Sequence, residues 1–372
     1  MKIFIVFGTR PEAIKMAPVV KAFRADPAFQ TTVCVTGQHR SMLDQVLSLF
    51  DITPDIDLDI MKAQQTLTDV TVGTMTGLRD IFAADRPDAV LVHGDTTSAM
   101  AAAMAAFYEQ VPVGHVEAGL RTGDLYAPWP EEMNRRVIDL MGRWLFAPTK
   151  QAAKALMNEG ADPDHIFVTG NTVIDALLTV VGDIHAGGAR KAELDAQFDF
   201  LDPEKKLIVV TGHRRENFDG GLERMCEALV RIARRGDTEI VYPVHLNANV
   251  QRAANAVLSD TEAVHLIEPQ DYLPFVYLMD RAHLVISDSG GIQEEAPSLG
   301  KPVLVTRDVT ERPEAIEAGT CRLVGTDIDR IVSETETLID DQGEYARVSA
   351  IRNPFGDGTA AAQIVKAMKN AQ

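Results

Sequence analysis

Cysteine is scarce: the chain has three, Cys34, Cys226 and Cys321, in 372 residues. They form no CxxC pair and no Cys/His ligand spacing, which excludes a disulfide-built scaffold and fits a reducing cytoplasm. Long apolar runs are missing too. None approaches a membrane span, and the N-terminal MKIFIVF run meets Arg10, Pro11 and Glu12 too early for a signal core, so it reads as a first strand. Positive charge is in deficit, 36 Lys+Arg against 54 Asp+Glu, for a net -18. A phosphate backbone would be repelled, which excludes general nucleic-acid binding but not a local pocket for one small anion. Walker, HExxH and GxSxG motifs are absent. The one GxGxxG/A match, Gly356 to Ala361, lies too near the C-terminus for a βαβ unit to follow and is a false positive for a dinucleotide site. The nine His are dispersed, so no metal site is expected. The expectation is a soluble cytoplasmic protein with no cofactor.

What is present is a globular composition, 46% hydrophobic and 24% charged, in a chain long enough for two domains. Continuous apolar strands alternate with helices: strands at Ile3–Phe7, Thr31–Thr36, Ala89–His93 and Val111–Val116, helices at Pro11–Arg24, Ser41–Phe50, Asp69–Ala84 and Thr97–Tyr108. The pattern repeats from Lys206–Thr211 through strands at Glu239–Pro243, Val264–Leu266, His283–Ser287 and Pro302–Val305. Such runs predict α/β architecture with parallel sheets covered on both faces. The polar, Gly-rich stretch Gly182–Lys205 reads as a linker. IFIVFGTRPE and LIVVTGHRRE open the two halves with the same strand-to-turn pattern. Two doubly wound domains would present these turns at their carboxyl edges, where such folds bind ligands; edges that face each other would place the ligand in a cleft between domains.

Five segments concentrate chemistry. In Gly8-Thr9-Arg10-Pro11-Glu12 with Lys15, a Gly turn, a Pro suited to the first helical position and two cations beside a helix N-terminus suit a phosphate or diphosphate. In His93-Gly94-Asp95-Thr96-Thr97-Ser98, Asp95 is either the helix N-cap or, with three hydroxyls able to cap, a carboxylate left for a substrate hydroxyl or a proton. His115 to Arg136 carries Glu117 at a strand end and Glu131 and Glu132 at a helix start, read either as proton-transfer groups or as acids favoured by the helix dipole. Glu132 is read as the latter. In Thr211 to Asn217, His213 between a Gly and two Arg suits binding or protonating a departing phosphate. In Asp288 to Glu295, Ser289, Gly290 and Gly291 expose backbone N–H groups for a second anion contact, and Glu295 suits ribose hydroxyls. Upstream, Gln270 and Phe275 could bind and stack on a base, although an aromatic at helical spacing is ordinarily core.

GTRPEAIKM, GDTTS, HVEAGLRTG followed by PWPEEMNRR, TGHRRENF and SDSGGIQEEA, in this order and spacing, resemble the non-hydrolysing UDP-N-acetylglucosamine 2-epimerases. The resemblance spans essentially the whole chain. It implies two Rossmann-like domains of the glycosyltransferase-B type, residues 1–170 and 171–355, with a final helix in 356–372 returning to the first. It implies a cytoplasmic homodimer acting on a UDP-sugar and supplying precursors for cell-surface polysaccharide. It places Asp95, Glu117, Glu131 and His213 in the catalytic centre, and Arg10, Lys15, Gln270, Phe275, Ser289, Gly290, Gly291, Glu295 and Arg312 on UDP and the sugar. Some members are activated by their substrate through the loop after the second strand; here Gln38 matches, while Ser41 and Gln64 depart from the longer or charged side chains of regulated members.

The chemistry supports several acids. The C2 hydrogen is not next to a carbonyl, and oxidation at C3 would need a dinucleotide. Elimination of UDP from C1 instead builds positive charge beside C2, where a carboxylate suffices as base. Inversion needs removal from one face and return to the other, hence more than one acid/base group. UDP must stay bound beside the glycal intermediate, so closure is expected. Alternatives are the same chemistry on a diacetamido sugar or uronic acid, a hydrolysing epimerase, a glycosyltransferase of the same fold, and a non-catalytic sensor.

Overall fold

Seven strands, β1 (Lys2–Phe7), β2 (Gln30–Val35), β3 (Ile56–Asp57), β4 (Ala89–His93), β5 (Val113–Val116), β6 (Gly142–Ala147) and β7 (Ile166–Val168), form one sheet in the order β3-β2-β1-β4-β5-β6-β7. Every pairing is parallel, and Ile5 sits in register with Val33 on one side and Leu91 on the other. Residues 3 to 7 of β1 and all of β4 and β5 are buried, as a sheet covered on both faces requires. The computed structural model describes residues 1–37, 40–62 and 64–370. It divides into Met1–Ala176 with Phe355–Gln372, and Leu177–Pro354.

In the first unit the chain order reverses between β1 and β4, so the loops after these strands flank the switch point where doubly wound sheets bind ligands. The helix Arg10–Ala25 starts cleanly because Thr9 and Glu12 form a reciprocal capping box. Gly8 is obligatory, since a Cβ there would lie 1.9 Å from Thr36 Oγ1. Thr97–Tyr108 packs on the helix Leu67–Ala84, and its small residues Ala99 and Ala101–Ala103 are buried, which explains why it is apolar nearly all round.

The C-terminal helix Ala360–Asn370 packs on Arg10–Ala25. Its N-terminus is capped from far away in sequence: the Asp175 carboxylate accepts from the N–H groups of Ala360 (3.2 Å) and Ala361 (2.9 Å). Asn171 N–H donates to the Phe355 carbonyl at 2.7 Å, and Gly170, at φ +87°, leaves room for that crossing.

The second unit repeats the plan with β8 (Lys206–Thr211), β9 (Thr238–Pro243), β10 (Val264–Ile267), β11 (Leu284–Ser287), β12 (Val303–Val305) and β13 (Cys321–Leu323), ordered β10-β9-β8-β11-β12-β13 and all parallel. Its core centres on Ile208, Val210, Leu229, Tyr242 and Ile286. Its switch point lies between β8 and β11.

One expectation is corrected. The stretch 182–205 is not a linker: the helix Ala189–Gln197 occupies its centre. Gly187 and Gly188, at φ +82° and +94°, end the preceding helix, but ARKAELDAQ consists largely of good helix formers. Lys191 pairs with Asp195 one turn on, and Leu194 is buried. Among the described residues no single helix is long and apolar enough to cross a membrane.

Candidate functional site

In the first unit, Glu12 ties together the two loops at the switch point. Its Oε2 accepts from the N–H groups of Gly8 (3.1 Å) and Thr9 (2.8 Å), and its Oε1 accepts from the Thr96 hydroxyl (2.9 Å). Burial raises its proton affinity, partly offset by these hydrogen bonds and by His93. Arg10, the first residue of its helix, is partly exposed and has no ion-pair partner among the described residues.

Glu117 is the first residue beyond β5. Its φ of +68° is a left-handed conformation that costs a non-glycine residue energy and tends to persist where function fixes it. Its carboxylate is 10% exposed and forms an ion pair with Lys15. The Asn171 side-chain amide donates to it at 2.9 Å, and His93 Nε2 lies 3.6 Å away. Burial alone would raise this carboxyl, yet Lys15 and His93 hold it well below the usual carboxylate range. The result is a carboxylate that is ionised while largely excluded from water, as a base for a weakly acidic C–H must be.

Asp95 is not a helix cap, because Thr96 fills that position and accepts from Ala99 N–H at 3.0 Å. Its carboxylate receives Arg135 Nη2 at 2.6 Å, and its carbonyl receives the Asn134 amide at 2.8 Å. Glu131 begins the helix Glu131–Met141, and its Oε2 is enclosed with no hydrogen-bond partner among the described residues. Among the described residues no hydrogen bond or ion pair joins Asp95, Glu117 and Glu131 to one another; Asp95 and Glu117 are each held by partners of their own.

Glu132 proves to be more than a helix-terminal acid. It is 0% exposed, accepts from the N–H groups of Thr122 (3.0 Å) and Gly123 (3.3 Å), and pairs with Arg136 at 3.0 Å. It therefore pins the loop that separates Glu117 from Glu131. Nearby, His115 has acceptors on both ring nitrogens, Asp139 Oδ1 at 2.6 Å and the Gly94 carbonyl at 2.7 Å, so it braces the turn that carries Asp95. Although burial works against it, Asp139 is held below the ordinary carboxylate range by His115 and Arg121.

In the second unit a carboxylate again clamps the switch point, but from the opposite side. Asp288, beyond β11, accepts from the N–H groups of His213 and Arg214, both at 2.8 Å. The His213 ring lies 3.4 Å from Asp288 Oδ1 and stacks on His245. Ser289 caps the next helical turn without using its side chain, which leaves Gly290 and Gly291 at the turn's start. A Cβ on Gly290 would lie 3.8 Å from the Arg312 guanidinium, which the buried Glu294 holds. Glu295 accepts from the Tyr272 hydroxyl at 3.0 Å, and that phenol is raised well above its usual range by burial and by Glu295. Phe275 is partly exposed on the helix Tyr272–Arg281, while Gln270 donates to the Glu268 carbonyl at 2.7 Å and accepts from Gln197 at 2.8 Å. Gln38 lies outside the described residues.

His213 has its proton affinity lowered, chiefly by burial and further by Arg214 and His245, against the opposing pull of Asp288. An anion bound beside it would favour the protonated ring and raise that affinity, so binding takes up protons in the pH interval between the free and bound values. A diphosphate anion should bind here more tightly as pH falls through this window. Calorimetry in buffers of different ionisation enthalpy measures the uptake, and His213→Asn should remove it.

The sequence profile of the UDP-N-acetylglucosamine 2-epimerase family matches residues 21–369. The chain belongs to the UDP-N-acetylglucosamine 2-epimerase family. The Escherichia coli strain K12 UDP-N-acetylglucosamine 2-epimerase is 57% identical over 371 residues, covering 100% of this chain and 99% of that one. The Neisseria meningitidis UDP-GlcNAc 2-epimerase, solved bound to UDP-GlcNAc, superposes with a TM-score of 0.90 at 48% identity and 100% coverage of both chains. The Methanocaldococcus jannaschii UDP-GlcNAc 2-epimerase superposes at 0.87 with 30% identity, again over 100% of both chains.

Within this 2-epimerase frame, the motifs carry the acids together with some of the groups that hold them: Glu12, Lys15, Glu132, Arg135 and Asp288 all lie inside motifs, although only Glu12, the third residue after a Thr N-cap, has a supporting role legible from local pattern. Asn171, 54 residues beyond Glu117, carried no local signal.

Proposed function

We propose that the chain interconverts UDP-N-acetylglucosamine and UDP-N-acetylmannosamine by eliminating UDP to a glycal and adding it back to the other face. The observation that carries this reading is the buried, ionised Glu117 held by Lys15 in a left-handed turn. Glu117, Glu131 and Asp95 handle the C2 proton as C1–O loosens. Arg10, His213 and the Ser289-Gly290-Gly291 turn hold the departing diphosphate, assisted by Arg312. Glu295, oriented by Tyr272, takes the ribose hydroxyls, and Phe275 and Gln270 serve the base. Lys15 keeps Glu117 ionised until substrate arrives and then has the sugar or phosphate as its partner.

Incubation with UDP-N-acetylglucosamine alone, followed by NMR, tests the reading. A mixture of the two epimers is expected; free UDP with free N-acetylmannosamine would mean hydrolysis, and an unchanged sugar would contradict the assignment.

The enzyme works in this reading as a cytoplasmic homodimer. The buried, unpaired Cys34, Cys226 and Cys321 support a reducing compartment. The exposed apolar side chains Val72, Phe107 and Tyr108 on two neighbouring helices support an interface between copies. Light scattering should give twice the chain mass, and Phe107→Glu should shift it toward the monomer.

A further inference from the structure

Asp95 follows β4, Glu117 follows β5 and Glu131 opens the helix Glu131–Met141, yet all three are assigned to one sugar carbon. His115 joins these three segments. It lies within β5, two residues before Glu117, and is 0% exposed. Its Nδ1 reaches Asp139 Oδ1, on the helix that Glu131 opens, at 2.6 Å. Its Nε2 reaches the carbonyl of Gly94, the residue before Asp95, at 2.7 Å.

Both partners are acceptors, and that fixes the charge of the ring. A carbonyl cannot donate, so Nε2 carries a hydrogen. Asp139 already accepts at Oδ2 from Gly119 N–H (3.2 Å) and from Arg121 Nη2 (2.8 Å), donors that favour an ionised carboxylate. An ionised Oδ1 brings no hydrogen of its own, so Nδ1 must carry one too. The ring is then an imidazolium. A neutral ring would turn a lone pair on the carbonyl or on the carboxylate at these short distances. Burial of the cation is offset by its adjacent carboxylate and by the use of both N–H groups. The charged groups of the surrounding segments are paired as well: Arg121 also with Glu159, Arg135 with Asp95, and Lys15 with Glu117.

We propose that His115 is a positioning residue, held as an imidazolium, that fixes the Gly94 carbonyl and so aims Asp95 at the sugar. The inference rests on the epimerase reading above. The helix Glu131–Met141 grips the turn on both sides of the Gly94–Asp95 peptide. Asn134 and Arg135 hold the Asp95 carbonyl and carboxylate directly, and Asp139 holds the Gly94 carbonyl through His115. No proton passes through His115 in the reaction; its complete burial keeps the charge in place.

Histidine-selective 15N labelling of the native enzyme reads the charge. At neutral pH one of the nine rings should show hydrogens on both nitrogens, both slow to exchange with water, and finding no such ring would overturn the proposal. Asp139→Asn identifies the ring: its amide donates to Nδ1, which loses its hydrogen, while Nε2–H stays on the Gly94 carbonyl. Because that contact survives, Asp139→Asn should keep kcat within about fivefold of native, the loss of charge assistance alone. His115→Phe keeps the ring's shape without its donors. It should lower kcat by roughly 10- to 100-fold, as a group displaced by about 1 Å does, with a much smaller change in KM. Where His115→Phe does not fold, its combination with Asp139→Asn leaves no unpaired buried charge and should show the same loss.

An Asp95→Asn background separates aim from general damage. There the His115 substitution should cost less than about threefold more, since it acts through a carboxylate already lost. A full second loss, or Asp139→Asn as slow as His115→Phe, would overturn the proposal. Native enzyme that forms no epimer from UDP-N-acetylglucosamine would instead refute the epimerase reading, whereas an active native enzyme with equally active His115 variants refutes only the role of His115.

Discussion

Glu117→Gln should reduce turnover by roughly 10²- to 10⁴-fold, the span expected when a general acid or base is lost. Glutamine has nearly the same size and retains a carbonyl oxygen, so the Asn171 amide keeps an acceptor and the left-handed turn keeps its side-chain volume. What disappears is the negative charge that Lys15 faces and the ability to exchange a proton with C2. Binding of UDP itself should change little, because its proposed contacts in the second unit are untouched. The variant thus separates chemistry from binding: kcat falls steeply while the calorimetric affinity for UDP stays within a few-fold. Turnover within tenfold of native would remove Glu117 from the mechanism.

Glu132→Ala should be the most destabilising single change around the acids, at about 3–5 kcal/mol, because it breaks a buried ion pair and leaves its partners unsatisfied. The lost carboxylate accepts from Thr122 N–H, Gly123 N–H and Arg136. Two consequences follow from one cause. The first unit unfolds at lower urea concentration, and the segment between Glu117 and Glu131 loses its anchor, so activity falls even where the protein is folded. Glu132→Gln keeps an acceptor for one N–H and should lie between the native protein and Glu132→Ala on both measures. Urea melts followed by circular dichroism, with turnover measured in the absence of urea, check the pairing. A Glu132→Ala protein as stable as the native one would contradict the clamp.

Strand positions were readable because parallel strands buried on both faces are continuous apolar runs: Ala89–His93 and Lys206–Thr211 match the observed strands at both ends. The helix Ala189–Gln197 was not, since two glycines ahead of it imitate a linker and its stabilising pair, Lys191 with Asp195, appears only once the helix is assumed. The same division holds in the site. Asp95, Glu117, Glu131 and His213 occur in short motifs at strand ends or helix starts, where local pattern and chemistry coincide. The partners that give them their properties come from elsewhere in the chain: Asn171 and Lys15 reach Glu117, Arg135 reaches Asp95, and Asp288 reaches the His213 turn. Long-range pairing of this kind leaves no periodicity to read. Glu132 is the sharpest case, since its position favours the dipole reading and only its complete burial reveals the clamp.

The measurement that bears most directly on the account is the reaction of UDP-N-acetylglucosamine in heavy water, with the sugar C2 followed by NMR. Elimination with proton exchange at C2 predicts deuterium at C2 of the UDP-N-acetylmannosamine formed, and its progressive appearance in recovered UDP-N-acetylglucosamine. Epimerised product that retains protium at C2 would contradict the elimination route and the roles given to Glu117, Glu131 and Asp95.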